Sequence, residues 1–274
     1  MSNWDQVEGE GNVEDRRAST IGASTGLGVF GTVIVLGLML YTGSGNANDV
    51  GKLLESLQQA GTQTSQGPFV DTKNYKGFAQ KVIASTNNVW NQEFKSEGYK
   101  YEEPKLVLFR NQTQSACGGA DSRSGPHYCP TDKTVYLDET FFEELRSKFG
   151  AKGGQVAEAY VMAHEVGHHV QNITGVFGQL DTRDNEQSIK AELQADCYAG
   201  VWAGVARSEG IILESEIDQA IDAASAVGDD KIQKSQTGRV NPESWTHGSS
   251  VQRKASFTRG YTAKSNKACD ALIQ

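Results

Sequence analysis

The chain has 274 residues, enough for one large domain or two small ones, and with 37% hydrophobic and 22% charged residues most of it can bury a core. Its formal net charge is −8 and no basic stripe stands out, so nucleic acid is excluded as an expected partner. Only the N-terminal part departs from a globular composition.

In chain order, residues 1–20 read as a polar, acidic tail. Residues 21–41, IGASTGLGVFGTVIVLGLMLY, carry no charge. At about 1.5 Å per residue such a run reaches about 30 Å, the thickness of a bilayer's hydrocarbon core, and it is expected to be a single transmembrane anchor. Arg16 and Arg17 precede it, whereas Asp49 and then Lys52 follow. The positive-inside rule places the N-terminus in the cytoplasm and the rest of the chain outside, in the periplasm or at the cell surface. A cleaved signal peptide is the rival reading, but its apolar region would be shorter and no convincing small-x-small site follows Tyr41. GLGVFG at 26–31 matches G-x-G-x-x-G with no strand before it, so nucleotide binding is rejected. Gly22 and Gly26 form G-x-x-x-G, a pointer to weak homodimerisation through this helix.

Residues 42–67, with GSGNAND and GTQTSQGP around a short helical stretch at 50–60, read as a linker. The globular domain is expected over 68–274. Phe78, Val82, Val89, Trp90 and Phe94 recur at helical spacing and predict a helix over 75–97. KLVLF at 105–109 and TVYL at 134–137 are short apolar runs that predict strands. Helices are predicted over 141–149, 155–173, 185–207 and 214–227, then a loop and a last helix around 249–260. The fold class is therefore α+β: a mainly helical domain with a small β-sheet, behind one N-terminal membrane helix.

Four cysteines on the non-cytoplasmic side permit two disulfides in three possible pairings. Cys117 and Cys129 flank a loop rich in Gly, Ser and Pro that a bridge could staple, which leaves Cys197 with Cys269. No Cys-x-x-Cys pair supports a cysteine zinc site.

The chemistry concentrates in AHEVGHHVQ, which contains H-E-x-x-H as His164, Glu165 and His168. Residues four apart on an α-helix differ by about 40° in direction, so both imidazoles project from one face. Two nitrogens from one rigid element can then meet a single zinc ion at about 2.0–2.1 Å. Glu165, beside the first ligand, is the candidate general base. His169 is rotated by about 140° from His164 and is not expected to be a ligand. Surface histidines on an amphipathic helix would be the bland explanation, but only five histidines occur in the chain and the pattern falls inside a predicted helix.

A catalytic zinc needs a third protein ligand and an open position. Glu192 and Asp196, in AELQADCYAGVW, are again four apart on a helix. In one large zincin class a downstream Glu-x-x-x-Asp supplies a zinc ligand and a carboxylate that orients a ligand histidine. Glu192 is thus the expected third ligand and Asp196 its supporting carboxylate, with Glu186, Asp181 and Asp184 as weaker alternatives. No third histidine follows at metzincin spacing. His247 is the candidate oxyanion donor, or else a structural loop histidine; His127 is expected to be structural. By analogy with zincins, TVYLD could be the edge strand that pairs with an extended substrate.

The stretches SACGG, YCPTDKTVYLDETFFEELRSKFG, AYVMAHEVGHHVQNITG, ELQADCYAGVW and HGSSVQR resemble the bacterial neutral zinc metallopeptidases called YpfJ-like, over about residues 68–270. The resemblance implies a zincin-like fold and a peptidase activity; with the anchor and donor set read above, the expectation is a membrane-anchored hydrolase with one Zn2+ per chain that cleaves peptide or protein substrates. Two other classes remain in view: a catalytically silent zinc-containing binding module at the membrane surface, and a hydrolase of a non-peptide amide.

Overall fold

The computed structural model describes residues 2–18, 69–121 and 125–273. The expected anchor over 21–41, its glycine motifs and the linker over 42–67 lie outside the described residues. No described helix is long and apolar enough to cross a membrane. The chain divides into two compact units, one of Met1–Arg16 with Asp71–Gln274 and one of Arg17–Val70. The first is α+β and mainly helical.

Its helices are α1 (Tyr75–Ser96), α2 (Phe141–Ser147), α3 (Gln155–Ile173), α4 (Asn185–Ser208), α5 (Ile217–Ala226), α6 (Asp229–Thr237) and α7 (Ser250–Ala263). Its strands are β1 (Val13–Asp15), β2 (Lys105–Phe109), β3 (Gln112–Ser115), β4 (Gly118–Asp121), β5 (His127–Cys129) and β6 (Thr134–Asp138). The main sheet has the order β1-β2-β6-β5, with β1, β2 and β6 parallel and β5 antiparallel to β6. Strands β2 and β6 read as continuous apolar runs because both their faces are covered. Leu106, Leu108, Val135 and Leu137 join the main core with α1 and α3. Val107, Phe109 and Tyr136 face the other way, against Ala120 and Cys129 of a smaller cluster.

Two expectations are corrected here. The polar tail over 1–20 is not a separate region: Trp4 and Val7 are buried in the main core, and Val13–Asp15 forms a strand of the main sheet. A short acidic strand such as VED carries no apolar alternation, so its pattern concealed it. Secondly, TVYLD is not an edge. Strand β6 lies between β2 and β5, paired with β2 along its length and with β5 over Thr134–Tyr136. The edge is β5, too short to stand out from the loop around it.

Elsewhere the predicted helices hold to within a few residues. The stretch over 214–227 begins as a 3-10 turn, Glu214–Glu216, before α5. The expected loop after it contains α6, whose sequence DDKIQKSQT has only one apolar residue. The hairpin β3–β4, built from QTQS and GGAD, was equally silent. Disulfides Cys117–Cys129 and Cys197–Cys269 are both formed. The first ties the β3–β4 hairpin to the edge strand, and the second ties α4 to the C-terminal turns.

Candidate metal centre

Helices α3 and α4 meet closely enough to bring their polar residues together. The reason is local: Gly167 lies inside the H-E-x-x-H stretch, and a Cβ there would stand 2.9 Å from the Ala195 carbonyl oxygen. Any side chain at that position would push the two helices apart and open the site.

At this crossing His164, His168 and Glu192 offer ligand atoms within 4.8 Å of one another. His164 Nε2 is 3.2 Å from Glu192 Oε2, and His168 Nε2 is 3.3 Å from Glu192 Oε1. Four ligands placed tetrahedrally about 2.05 Å from a zinc ion stand about 3.3 Å apart, so each histidine–glutamate contact is at that spacing and the three side chains could converge on one ion. The other ring nitrogens are already engaged. His164 Nδ1 donates to Asp196 Oδ1 at 2.9 Å, and His168 Nδ1 donates to Gln171 Oε1 at 2.8 Å. Each imidazole is thereby held with its proton on Nδ1 and its Nε2 lone pair available to a metal. Gln171 is itself fixed, because its Nε2 donates to the Ala191 carbonyl at 2.7 Å and to Gln194 Oε1 at 3.0 Å.

Asp196 is wholly buried, with a dense set of donors around it. Tyr160 donates its hydroxyl at 2.5 Å, Arg253 donates Nε at 2.8 Å to one oxygen and Nη2 at 2.9 Å to the other. Burial alone would raise the Asp196 pKa, but the Arg253 and His164 charges outweigh it and keep it low. Burial would also lower the His164 pKa, yet Asp196 and Glu192 push it up to about 10. The Glu192 carboxyl, despite its burial, is held well below the carboxylate range by the two imidazoles. A cluster that draws positive charge this strongly suits a divalent cation.

Glu165 is 7% exposed and lines the same cleft as the three donors. The cleft encloses about 690 Å³, with apolar walls from Phe141, Val161, Phe177, Val227 and Ile232. Edge strand β5 contributes His127 and Tyr128 to its lining. His247 lines it too. Asp229 anchors that residue: its Oδ2 accepts the backbone N–H groups of Thr246, His247 and Gly248 at 2.8, 2.7 and 3.0 Å. Its Oδ1 is 3.3 Å from His247 Nδ1, and this contact raises the imidazole's pKa.

The weaker ligand candidates are elsewhere. Asp184 caps α4 through Gln187 N, Asp181 pairs with Arg183, and Glu186 with Lys190. His169 is buried away from the donors; its Nε2 donates to the Glu102 carbonyl at 2.6 Å and its Nδ1 accepts from the Tyr128 hydroxyl at 3.0 Å. That pair fastens the metal-bearing helix to β5. His127 stacks on Tyr136, 5.4 Å between ring centroids. Sequence reasoning missed Arg253, Tyr160, Gln171 and Asp229. Arg253, Tyr160 and Gln171 lay within stretches that carried the resemblance and Asp229 did not, and nothing in their spacing marked them.

Two histidines and a glutamate from consecutive helices, with a buried aspartate behind one histidine and a second glutamate in the cleft, make a donor set that could hold one metal ion. The family model described as "Putative neutral zinc metallopeptidase" matches residues 2–272, and the chain belongs to that family. The uncharacterized protein YpfJ of Escherichia coli K12 is 36% identical over 98% of each chain. The uncharacterized protein Rv2575 of Mycobacterium tuberculosis H37Rv is 44% identical over 71% of each chain. No solved structure matches.

Proposed function

We propose that this chain is a zinc-dependent peptidase, held at a bilayer by residues 21–41, that hydrolyses peptide bonds in its cleft. The observation that carries the reading is the joint presence of a donor triad at zinc spacing and Glu165 in the same cleft. A zinc ion serving only as structure would not need that carboxylate.

His164, His168 and Glu192 would hold the ion, and their sum leaves it one net positive charge. Bound there, zinc would supply Lewis acidity toward water and toward a substrate carbonyl. Glu165 takes a proton from the attacking water and returns it to the leaving amine. His247, with Nδ1 turned to Asp229, keeps Nε2 as the ring nitrogen able to donate to the developing oxyanion. Strand β5, at the edge of the main sheet among the described residues, would be the strand to align an extended peptide. The apolar cleft walls favour a substrate with an apolar side chain near the scissile bond.

Elemental analysis of the purified full chain is expected to give one zinc per chain in the wild type and in Glu165→Gln. A broad peptide-library digest should show chelator-sensitive cleavage by the wild type and none by Glu165→Gln. Absence of chelator-sensitive cleavage of any peptide would replace this reading with the binding module, and retained turnover in Glu165→Gln would remove that residue as base.

A further inference from the structure

The edge of the main sheet remote from β5 is made by the N-terminus. Val13, Glu14 and Asp15 pair in parallel with Leu106, Val107 and Leu108. The ladder extends at both ends, since Leu106 N donates to the Asn12 carbonyl at 2.9 Å and Arg16 N to the Leu108 carbonyl at 2.7 Å. Further upstream, Asn3 N donates to the Ile211 carbonyl at 2.7 Å and Asn3 Nδ2 to the Gly210 carbonyl at 2.9 Å. Trp4 packs edge-on against Phe78, 5.4 Å between centroids. Gly11 rests on α1 so closely that a Cβ would stand 2.5 Å from Ile83 Cβ and 2.9 Å from the Gln80 carbonyl oxygen. These contacts belong to a segment folded into the catalytic unit, because backbone ladders and core side chains cannot be shared across a bilayer.

The charges that oriented the apolar run are also engaged by protein. Arg16 donates Nε to Glu14 at 2.6 Å and Nη1 to Thr113 Oγ1 and the Gln114 carbonyl, each at 3.2 Å. Hydrogen bonds from Arg16 and Lys105 hold the Glu14 carboxyl down to about 2. Arg17 is only 5% exposed, with its guanidinium 4.6 Å from the centroid of the Phe69 ring. Both arginines are thus engaged within the folded protein.

We infer that residues 2–16 lie in the same compartment as the catalytic domain. The chain between residues 17 and 70 then begins and ends there, so no net crossing of a bilayer separates the N-terminus from the catalytic domain. The two disulfides identify that compartment as an oxidising one. This replaces the single crossing with a cytoplasmic N-terminus that the flanking arginines suggested.

The test uses the full chain in cell membranes. The four native cysteines are disulfide-bonded, so a new thiol reacts alone. Asp5→Cys and Lys95→Cys, both at exposed positions, are treated separately with a membrane-impermeant maleimide before and after lysis. Equal labelling of the two sites at each stage is expected. Labelling of Lys95→Cys before lysis, with Asp5→Cys reacting only afterwards, would overturn the inference. Gly11→Val in the full chain, purified in detergent, gives an independent reading. Its clash with Ile83 should lower the domain's Tm by about 5 °C or more. An unchanged Tm would show the N-terminal segment detached from the domain and would overturn the inference as well.

Discussion

The cleft is built from two regions held in different ways. On α3, α4 and α7 the donors are fixed by buried side chains: Asp196, Arg253, Gln194 and Gln171 are all almost wholly inaccessible to solvent. Around His247 the side chain is more exposed, and the backbone carries the fixing bonds, as in the three N–H groups that converge on Asp229. Buried charges tolerate little change, because an unpaired one costs several kcal/mol. A rim held through its backbone can exchange side chains at smaller cost. The metal side is thus the rigid part of the site, and the substrate side is the part open to variation.

The sharpest way to break that contrast is to remove Arg253. Arg253→Met leaves Asp196 fully buried with its principal countercharge gone, and breaking such a pair costs about 3–5 kcal/mol. The loss should be read by urea unfolding of the zinc-free protein, so that metal binding does not mask it. Asp196→Asn combined with Arg253→Met should be less destabilised than the sum of the two single variants, since the pair disappears together. Additive losses would mean that Arg253 stabilises α7 by packing alone, and the metal side would not be the rigid network described.

The rim predicts a different profile. His247→Asn should lower kcat/KM by about 10²–10³-fold, the usual loss for one oxyanion donor, with zinc content unchanged. The imidazole donates from both nitrogens only when protonated, and Asp229 raises its pKa above the ordinary 6.5. Activity should therefore fall as pH rises through that raised value. Asp229→Asn removes the cause of the rise, so the alkaline limb of the kcat/KM profile should move to lower pH. A limb that stays in place would assign it to some other group.

The same contrast explains what could be read in the sequence. H-E-x-x-H and E-x-x-x-D declared themselves because two residues on one helical turn must share a face, and that spacing is local. Four further helices on either side of these motifs, α1, α2, α5 and α7, were similarly plain. Arg253 was not, because it reaches Asp196 from a helix 57 positions away in the chain. Asp229 was hidden for a comparable reason: its partners are backbone N–H groups of a distant loop, and any residue type supplies those. The N-terminal strand is the clearest loss. VED pairs through its backbone and has no apolar face, so composition assigned it to solvent while the ladder places it in the sheet.

Gln171 offers the finest test of the metal side, because it is neutral and its loss leaves no stranded charge. It is wholly buried, and its Oε1 is the acceptor that keeps the His168 proton on Nδ1. Gln171→Met approximates the side-chain volume and removes that acceptor. Without it, His168 can rotate or take the other tautomer, which places a proton on the nitrogen that should face the metal. Orienting contacts of this kind are worth about 10–100-fold in metal affinity. Competition with a chromogenic chelator should show zinc affinity weakened by at least about tenfold, while Gln171→Glu, which keeps an acceptor, should lose less. If Gln171→Met bound zinc as tightly as the wild type, the packing of α3 against α4 would be orienting His168 without help, and the hydrogen bond would be incidental.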